Sequence, residues 1–150
     1  ADPQRIAIEG GSAGGFTTLG CLCFTDIFCV GACRYAVSDL IAMAEDTHRF
    51  EAGYLDNLLG TLPENRQRYE LRSPLNHAEL IKCPVIFFQG LKDKVVPPDQ
   101  TKRMVEALKN RDVPVELHVF PEEGHGFRDI NVKISVLEKT ERFFRANLGL

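Results

Sequence analysis

The sequence predicts an α/β protein: a mostly parallel sheet with helices on both faces. Two observations predict it. Short β-branched or aromatic segments alternate with helical patterns along the chain, as strand–helix–strand units do. One of these segments, Pro84-Val85-Ile86-Phe87-Phe88-Gln89, is apolar nearly throughout, as a strand covered on both faces must be. The 150 residues, 44% hydrophobic and 26% charged, suit one globular domain that buries about 70% of the surface of its unfolded chain.

The first strand is Arg5-Ile6-Ala7-Ile8-Glu9, which runs straight into Gly10-Gly11-Ser12-Ala13-Gly14-Gly15. A helix is expected from Phe16 to Phe24, then a second apolar strand from Phe28 to Tyr35. From Ser38 to Leu80 the chain is polar and helical in character, with breaks at Gly53, Gly60-Thr61-Leu62-Pro63 and Ser73-Pro74. The third strand is Pro84 to Gln89. After a loop from Gly90 to Pro97, Thr101, Met104, Val105 and Leu108 recur at helical spacing and predict a helix from Asp99 to Asn110. The fourth strand is Val115 to Phe120, with Val115, Leu117 and Val119 on one face. The last helix, Val132 to Asn147, carries a stripe of Val136, Leu137, Thr140, Phe143 and Phe144. Four strands are few for a doubly covered sheet, and the chain opens Ala1-Asp2-Pro3 rather than with Met. The expectation is a piece of a longer polypeptide.

A net charge of −3 and a pI near 5.8 argue against a nucleic-acid partner, which calls for a basic patch. No run of about 18 apolar residues exists to cross a membrane, and no segment has a signal-peptide layout. Cys21, Cys23, Cys29, Cys33 and Cys83 lack the paired spacing of zinc knuckles and sit among apolar residues. They read as small buried hydrophobes, with no metal or other cofactor expected. Free thiols in that number point to a reducing compartment and a cytoplasmic location.

Gly10-Gly11-Ser12-Ala13-Gly14 fits G-x-S-x-G between a strand and a helix, the context of a nucleophile elbow. Small residues at 10, 11, 13, 14 and 15 let strand and helix pack closely around the serine. The turn exposes the Ser12 hydroxyl and aims amides of the helix start, Ala13 N–H among them, at the same point. Asp93 lies on the loop after the third strand, and His125, between Gly124 and Gly126, on the loop after the fourth. The order Ser12, Asp93, His125 is that of α/β-hydrolases. The rivals read structurally: His118 as a strand residue, His48 and His77 as solvated or locally bonded. Asp39 and Asp99 read as helix-start residues, and Glu122 and Glu123 as solvated.

Gly10-Gly11-Ser12-Ala13-Gly14-Gly15, Ser73-Pro74, Gln89-Gly90 to Pro98 with Asp93, and Gly124-His125-Gly126-Phe127 together resemble the prolyl oligopeptidase family of serine peptidases. The flavour is that of its acylaminoacyl-peptidase and dipeptidyl-aminopeptidase-like members. The resemblance implies the C-terminal part of an α/β-hydrolase fold, a domain that lies after a β-propeller. It implies Ser12 as nucleophile, His125 as general base and acid, Asp93 as orienting acid, and short peptides as substrates. Tyr35 to Leu40 matches a family segment near the substrate pocket. The second oxyanion donor would come from upstream strands that this chain lacks, so a further expected partner is the earlier part of the same polypeptide. Alone, the chain is expected to be poorly soluble or nearly inactive. Two other readings stay open: a carboxylesterase-like hydrolase, and a truncated, non-catalytic interaction module. Oligomeric state stays open as well.

Overall fold

Four parallel strands form one sheet whose spatial order follows the chain, β1-β2-β3-β4. In the computed structural model, which describes residues 2–46 and 52–150, the strands are β1 (Ala7–Gly11), β2 (Val30–Arg34), β3 (Val85–Gly90) and β4 (Val115–Phe120). Pairing sets Gly11 against Arg34, Arg34 against Phe88 and Gly90 against Phe120, so all four carboxyl ends reach one rim. The helices are α1 (Ala13–Phe24), α2 (Leu40–Asp46), α3 (Ala52–Leu59), α4 (Arg66–Arg72), α5 (Pro98–Lys109) and α6 (Ile130–Leu148), with a 3-10 segment from Pro74 to Leu80.

The two-residue period of a strand explains the unbroken apolar character of β3. Val85 and Phe87 enter one core with Leu19 and Leu22 of α1 and Met104, Val105 and Leu108 of α5. Ile86 and Phe88 enter the opposite core with Val136 and Phe143 of α6. Helices therefore cover both faces, as expected. A third cluster, with Leu40, Met43, Leu59, Tyr69 and Val96, lies beside the rim where the carboxyl ends of the strands converge.

Several boundaries move. Helix α1 begins at Ala13, not Phe16, because the elbow feeds the helix directly despite the low propensity of Gly14 and Gly15. Helix α6 begins at Ile130, where the Asp129 carboxylate accepts from Asn131 N–H at 2.7 Å, and ends at Gly149 in the left-handed region at φ 64°. Leu137, assigned to its buried stripe, is 71% exposed; Val136, Thr140 and Phe143 carry the stripe. Val119 is exposed as well, because Val115 and Leu117 alone reach the core on their side of β4. His118 stacks on Phe88 with ring centroids 5.5 Å apart, and His77 Nε2 lies 2.9 Å from the Leu71 carbonyl oxygen. His48 lies outside the described residues.

Cys23 and Cys33 are buried in the first core, as the packing reading expects, and Cys83 is half-buried against it; Cys21 and Cys29 are partly exposed. Burial pushes the Cys23 thiol up to about 12, with the negative charge of Glu79 adding to it, and pushes Cys33 and Cys83 upward too. Among the described residues no three His, Cys, Asp or Glu side chains gather to hold a metal, and no helix is long and apolar enough to cross a membrane.

Candidate active site

Strand β1 turns into α1 within a single residue. Ser12 makes the turn at φ 56° and ψ −121°, a conformation that a non-glycine residue holds only when its surroundings impose it. Two glycines make room. A Cβ on Gly10 would stand 2.2 Å from the Gly14 carbonyl oxygen, and one on Gly15 would stand 2.5 Å from the Ala36 methyl. A Cβ on Gly11 would press on the Tyr35 ring at 3.0 Å. Gly14 differs from the expectation: beyond its chain neighbours and its own helix backbone, no atom lies within 4 Å of where its Cβ would be, and it contributes through the carbonyl that Gly10 approaches.

Ser12 stands at the capping position of α1 but makes no side-chain cap bond. Its hydroxyl faces the histidine: Ser12 Oγ lies 2.9 Å from His125 Nε2, and His125 Nδ1 lies 2.9 Å from Asp93 Oδ2. The three sequence-predicted residues thus form one unbroken hydrogen-bonded line. The Asp93 side chain is fully buried, and its Oδ1 accepts from the Val95 and Val96 amides, both at 2.9 Å. Those two donors hold the carboxylate with Oδ2 turned to the imidazole. Ala13 begins α1 beside Ser12, and both residues line the same pocket.

The acid and histidine loops are stitched together. Leu91 N–H donates to Phe120 O at 3.0 Å and Lys92 N–H to Glu123 O at 2.9 Å. Gly90 is required at this junction, since its Cβ would meet the Glu123 carbonyl oxygen at 2.4 Å. The Lys92 ammonium also reaches Glu122, which is exposed as read.

Glu123 is not solvated as read: it is 6% exposed, and its carboxylate accepts from Arg128 N–H at 2.6 Å and Asp129 N–H at 2.9 Å. It closes the turn that presents His125. Two aromatics that the sequence placed in matched segments without a role pack around the imidazole. Tyr35, at φ 38°, packs on the His125 ring at 4.6 Å, and Phe127, at φ 32°, meets Tyr35 edge-on at 5.0 Å. Positive φ in non-glycine residues thus recurs around the imidazole.

Asp39 does start a helix: its Oδ1 accepts from Ile41 and Ala42 N–H at 3.0 and 3.1 Å. Asp99 sits in the first turn of α5. Gln100, which carried no expectation, joins these elements. Its Oε1 accepts from Ser38 and Asp39 N–H at 2.8 Å each, and its amide donates to Asp39 O at 3.0 Å.

Beside Ser12 opens a pocket of about 580 Å³. Its walls are apolar: Phe16 from α1, Val37, Leu40 and Met43 at α2, Tyr54, Leu55, Leu58 and Leu59 from α3, and Val95 and Val96 from the acid loop. Arg72, the last residue of α4, completes it. Val37 and Leu40 place the Tyr35–Leu40 segment at the pocket, in keeping with the resemblance.

Residues 1–150, the whole chain, match the prolyl oligopeptidase family. The chain belongs to that family. Among relatives of this prolyl oligopeptidase-family chain, dipeptidyl aminopeptidase BIII of Pseudoxanthomonas mexicana is 32% identical over 97% of the chain and 22% of the relative. The structure of a Mycobacterium tuberculosis puromycin-hydrolyzing peptidase superposes with a TM-score of 0.97 at 46% identity, over all of this chain and 23% of that one. An acylaminoacyl peptidase in complex with Z-Gly-Gly-Phe-chloromethyl ketone superposes with a TM-score of 0.91 at 25% identity, over 99% of this chain and 24% of that one. The fold is that of the α/β-hydrolase peptidases, and the chain spans about a fifth to a quarter of the length of these relatives.

Proposed function

We propose that these residues form the triad-bearing part of the α/β-hydrolase catalytic domain of a serine peptidase that cleaves short peptides. The observation that carries this reading is the line Ser12 Oγ–His125 Nε2, His125 Nδ1–Asp93 Oδ2, with 2.9 Å at each step. A carboxylate with two amides on one oxygen only accepts, so Nδ1 carries the proton toward Asp93 and Nε2 is left free to accept.

In this mechanism Nε2 takes the Ser12 proton as Oγ attacks the scissile carbonyl carbon. The carbonyl oxygen becomes an oxyanion, with Ala13 N–H as a donor to it; one such donor is worth about 10²–10³ in rate. Asp93 fixes the ring and stabilises the imidazolium. The tetrahedral adduct collapses as Nε2 gives its proton to the leaving nitrogen, and an ester on Ser12 remains. Water then attacks that ester, giving a proton to Nε2. On the second collapse the acid departs, and Nε2 returns the proton to Ser12 Oγ. A second oxyanion donor belongs, in this proposal, to the longer polypeptide. The apolar pocket beside Ser12 receives the side chain of the residue whose carbonyl is attacked.

The test is fluorophosphonate labelling of the full natural polypeptide and its Ser12→Ala variant, read by intact mass and paired with turnover of a short peptide anilide. One adduct and anilide turnover in wild type, both absent from the variant, are expected. An adduct that persists in Ser12→Ala would overturn the assignment. Turnover of alkyl esters without any turnover of peptide anilides would move the substrate class to esters.

A further inference from the structure

The pocket beside Ser12 is apolar with one exception. Among its described lining residues only Arg72 is charged. The other arginines of α4 are engaged: Arg66 bonds Glu70 at 2.9 Å, and Arg68 donates to the Leu59 carbonyl at 2.8 Å. Arg72 has no ion pair or side-chain hydrogen bond among the described residues. Its backbone is nonetheless held in place. The next residue, Ser73, is fully buried; its Oγ donates to Tyr69 O at 2.8 Å and accepts from Leu40 N–H at 2.9 Å. Those bonds tie the end of α4 to the start of α2, so the guanidinium stem leaves a fixed point on the pocket wall.

An exposed arginine with no side-chain partner among the described residues, at the edge of an apolar pocket, sets a chemical demand. An apolar ligand pressed against it takes away water and returns no hydrogen bond, which costs free energy. A ligand with a carboxylate at that point returns two hydrogen bonds in the geometry the planar guanidinium favours. The volume, about 580 Å³, lies within the usual range of ligand pockets, roughly 300–1,000 Å³, and leaves room for an extended side chain.

We propose that Arg72 determines specificity in this pocket, and that the preferred residue on the acyl side of the cleaved bond has an aromatic body and an anionic far end. The proposal rests on the hydrolase reading above and deepens it. The apolar wall takes the ring; Arg72 takes the charge.

The experiment uses the full natural polypeptide that carries this chain. Three anilide substrates differ only in the acyl-side residue: phenylalanine, para-carboxyphenylalanine and para-aminomethylphenylalanine. The readout is the ratio of kcat/KM values within each enzyme, with kcat and KM separated. In wild type the anionic substrate leads the cationic one, and the lead shrinks as salt rises. Arg72→Gln lowers the anionic-to-neutral ratio by at least about tenfold, the scale of the weaker charge-assisted hydrogen bonds, with the change chiefly in KM. Arg72→Lys keeps more of the ratio than Arg72→Gln, and Arg72→Glu reverses the order toward the cationic substrate. A merely structural arginine would produce none of that reversal. Turnover that depends on Ser12 but shows the same substrate order in wild type, Arg72→Gln and Arg72→Glu overturns the inference and leaves the hydrolase reading standing. No Ser12-dependent turnover of any of the three removes both.

Discussion

A serine that precedes a helix ordinarily accepts a hydrogen bond from an amide of the first turn. Ser12 forgoes that bond and points its hydroxyl to His125. The loss of a cap and the positive φ are both local costs, about 1–3 kcal/mol for such a backbone, which the close packing at Gly10 and Gly15 holds in place. Asp93 shows the reverse economy, since its side chain is buried and every contact holds it in one orientation. Asp93→Asn keeps the shape but puts an amide opposite Nδ1, which favours the wrong imidazole tautomer. The expected result is a fall of roughly 10⁴ in kcat with thermal stability little changed, measured by steady-state kinetics beside a melting curve. Ser12, Asp93 and His125 were legible because small residues, strand ends and chain order encode them. Glu123 was not. Its partners are the amides of Arg128 and Asp129, brought back to it by a turn with Gly126 at φ 88° and Phe127 at φ 32°. No side-chain pattern announces such a turn, and beside His125 a glutamate looks like any solvated acid.

At the scale of elements, the strands were the most legible part, because β2 and β3 feed both cores, with Ala32 and Cys33 on opposite faces of β2 and Val85 to Phe88 alternating along β3. The start of α1 was hidden by its own glycines, which mark a loop in the sequence but permit the elbow in the fold. The link from α5 to α2 through Gln100 was also hidden, since its amide meets Ser38 and Asp39 across 61 to 62 residues of chain. The histidine loop is the element on which catalysis should depend most visibly. Glu123→Ala removes both anchors of its turn. Misplacement of an imidazole by about 1 Å can cost on the order of 10²-fold in rate. A fall of that order in the rate of Ser12 labelling is therefore expected while the strands stay intact by far-ultraviolet circular dichroism. Unchanged labelling would show that Tyr35 and Phe127 hold the ring without it.

For the molecule as a whole, the rim of the sheet gathers the site, and the two faces supply the stability. One stability term is set by the thiols. Cys23 is protonated in the folded core up to about pH 12, whereas an unfolded thiol ionises near 9. Between those values the unfolded chain has fewer protons, so stability falls as pH rises through that window; below it this thiol contributes no slope. Cys23→Ala should flatten the loss of melting temperature between pH 9 and 12, measured by thermal scans across that range. An unchanged slope would assign the alkaline loss to other groups, among them the buried Cys33 and the Tyr69 phenol, which burial also pushes upward.

The register of β3 on β4 ends at Gly90 opposite Phe120, and the acid and histidine loops start from that pair. A slip of one residue would shift the histidine loop by about 3.3 Å relative to Asp93, breaking the 2.9 Å contact, and turn Leu117 out of the core in the same step. In this corner of the protein, strand pairing and the proposed triad depend on the same atoms. A substitution that loosens β3 from β4 is therefore felt twice, once in folding and once in the hydrogen bond between His125 and Asp93.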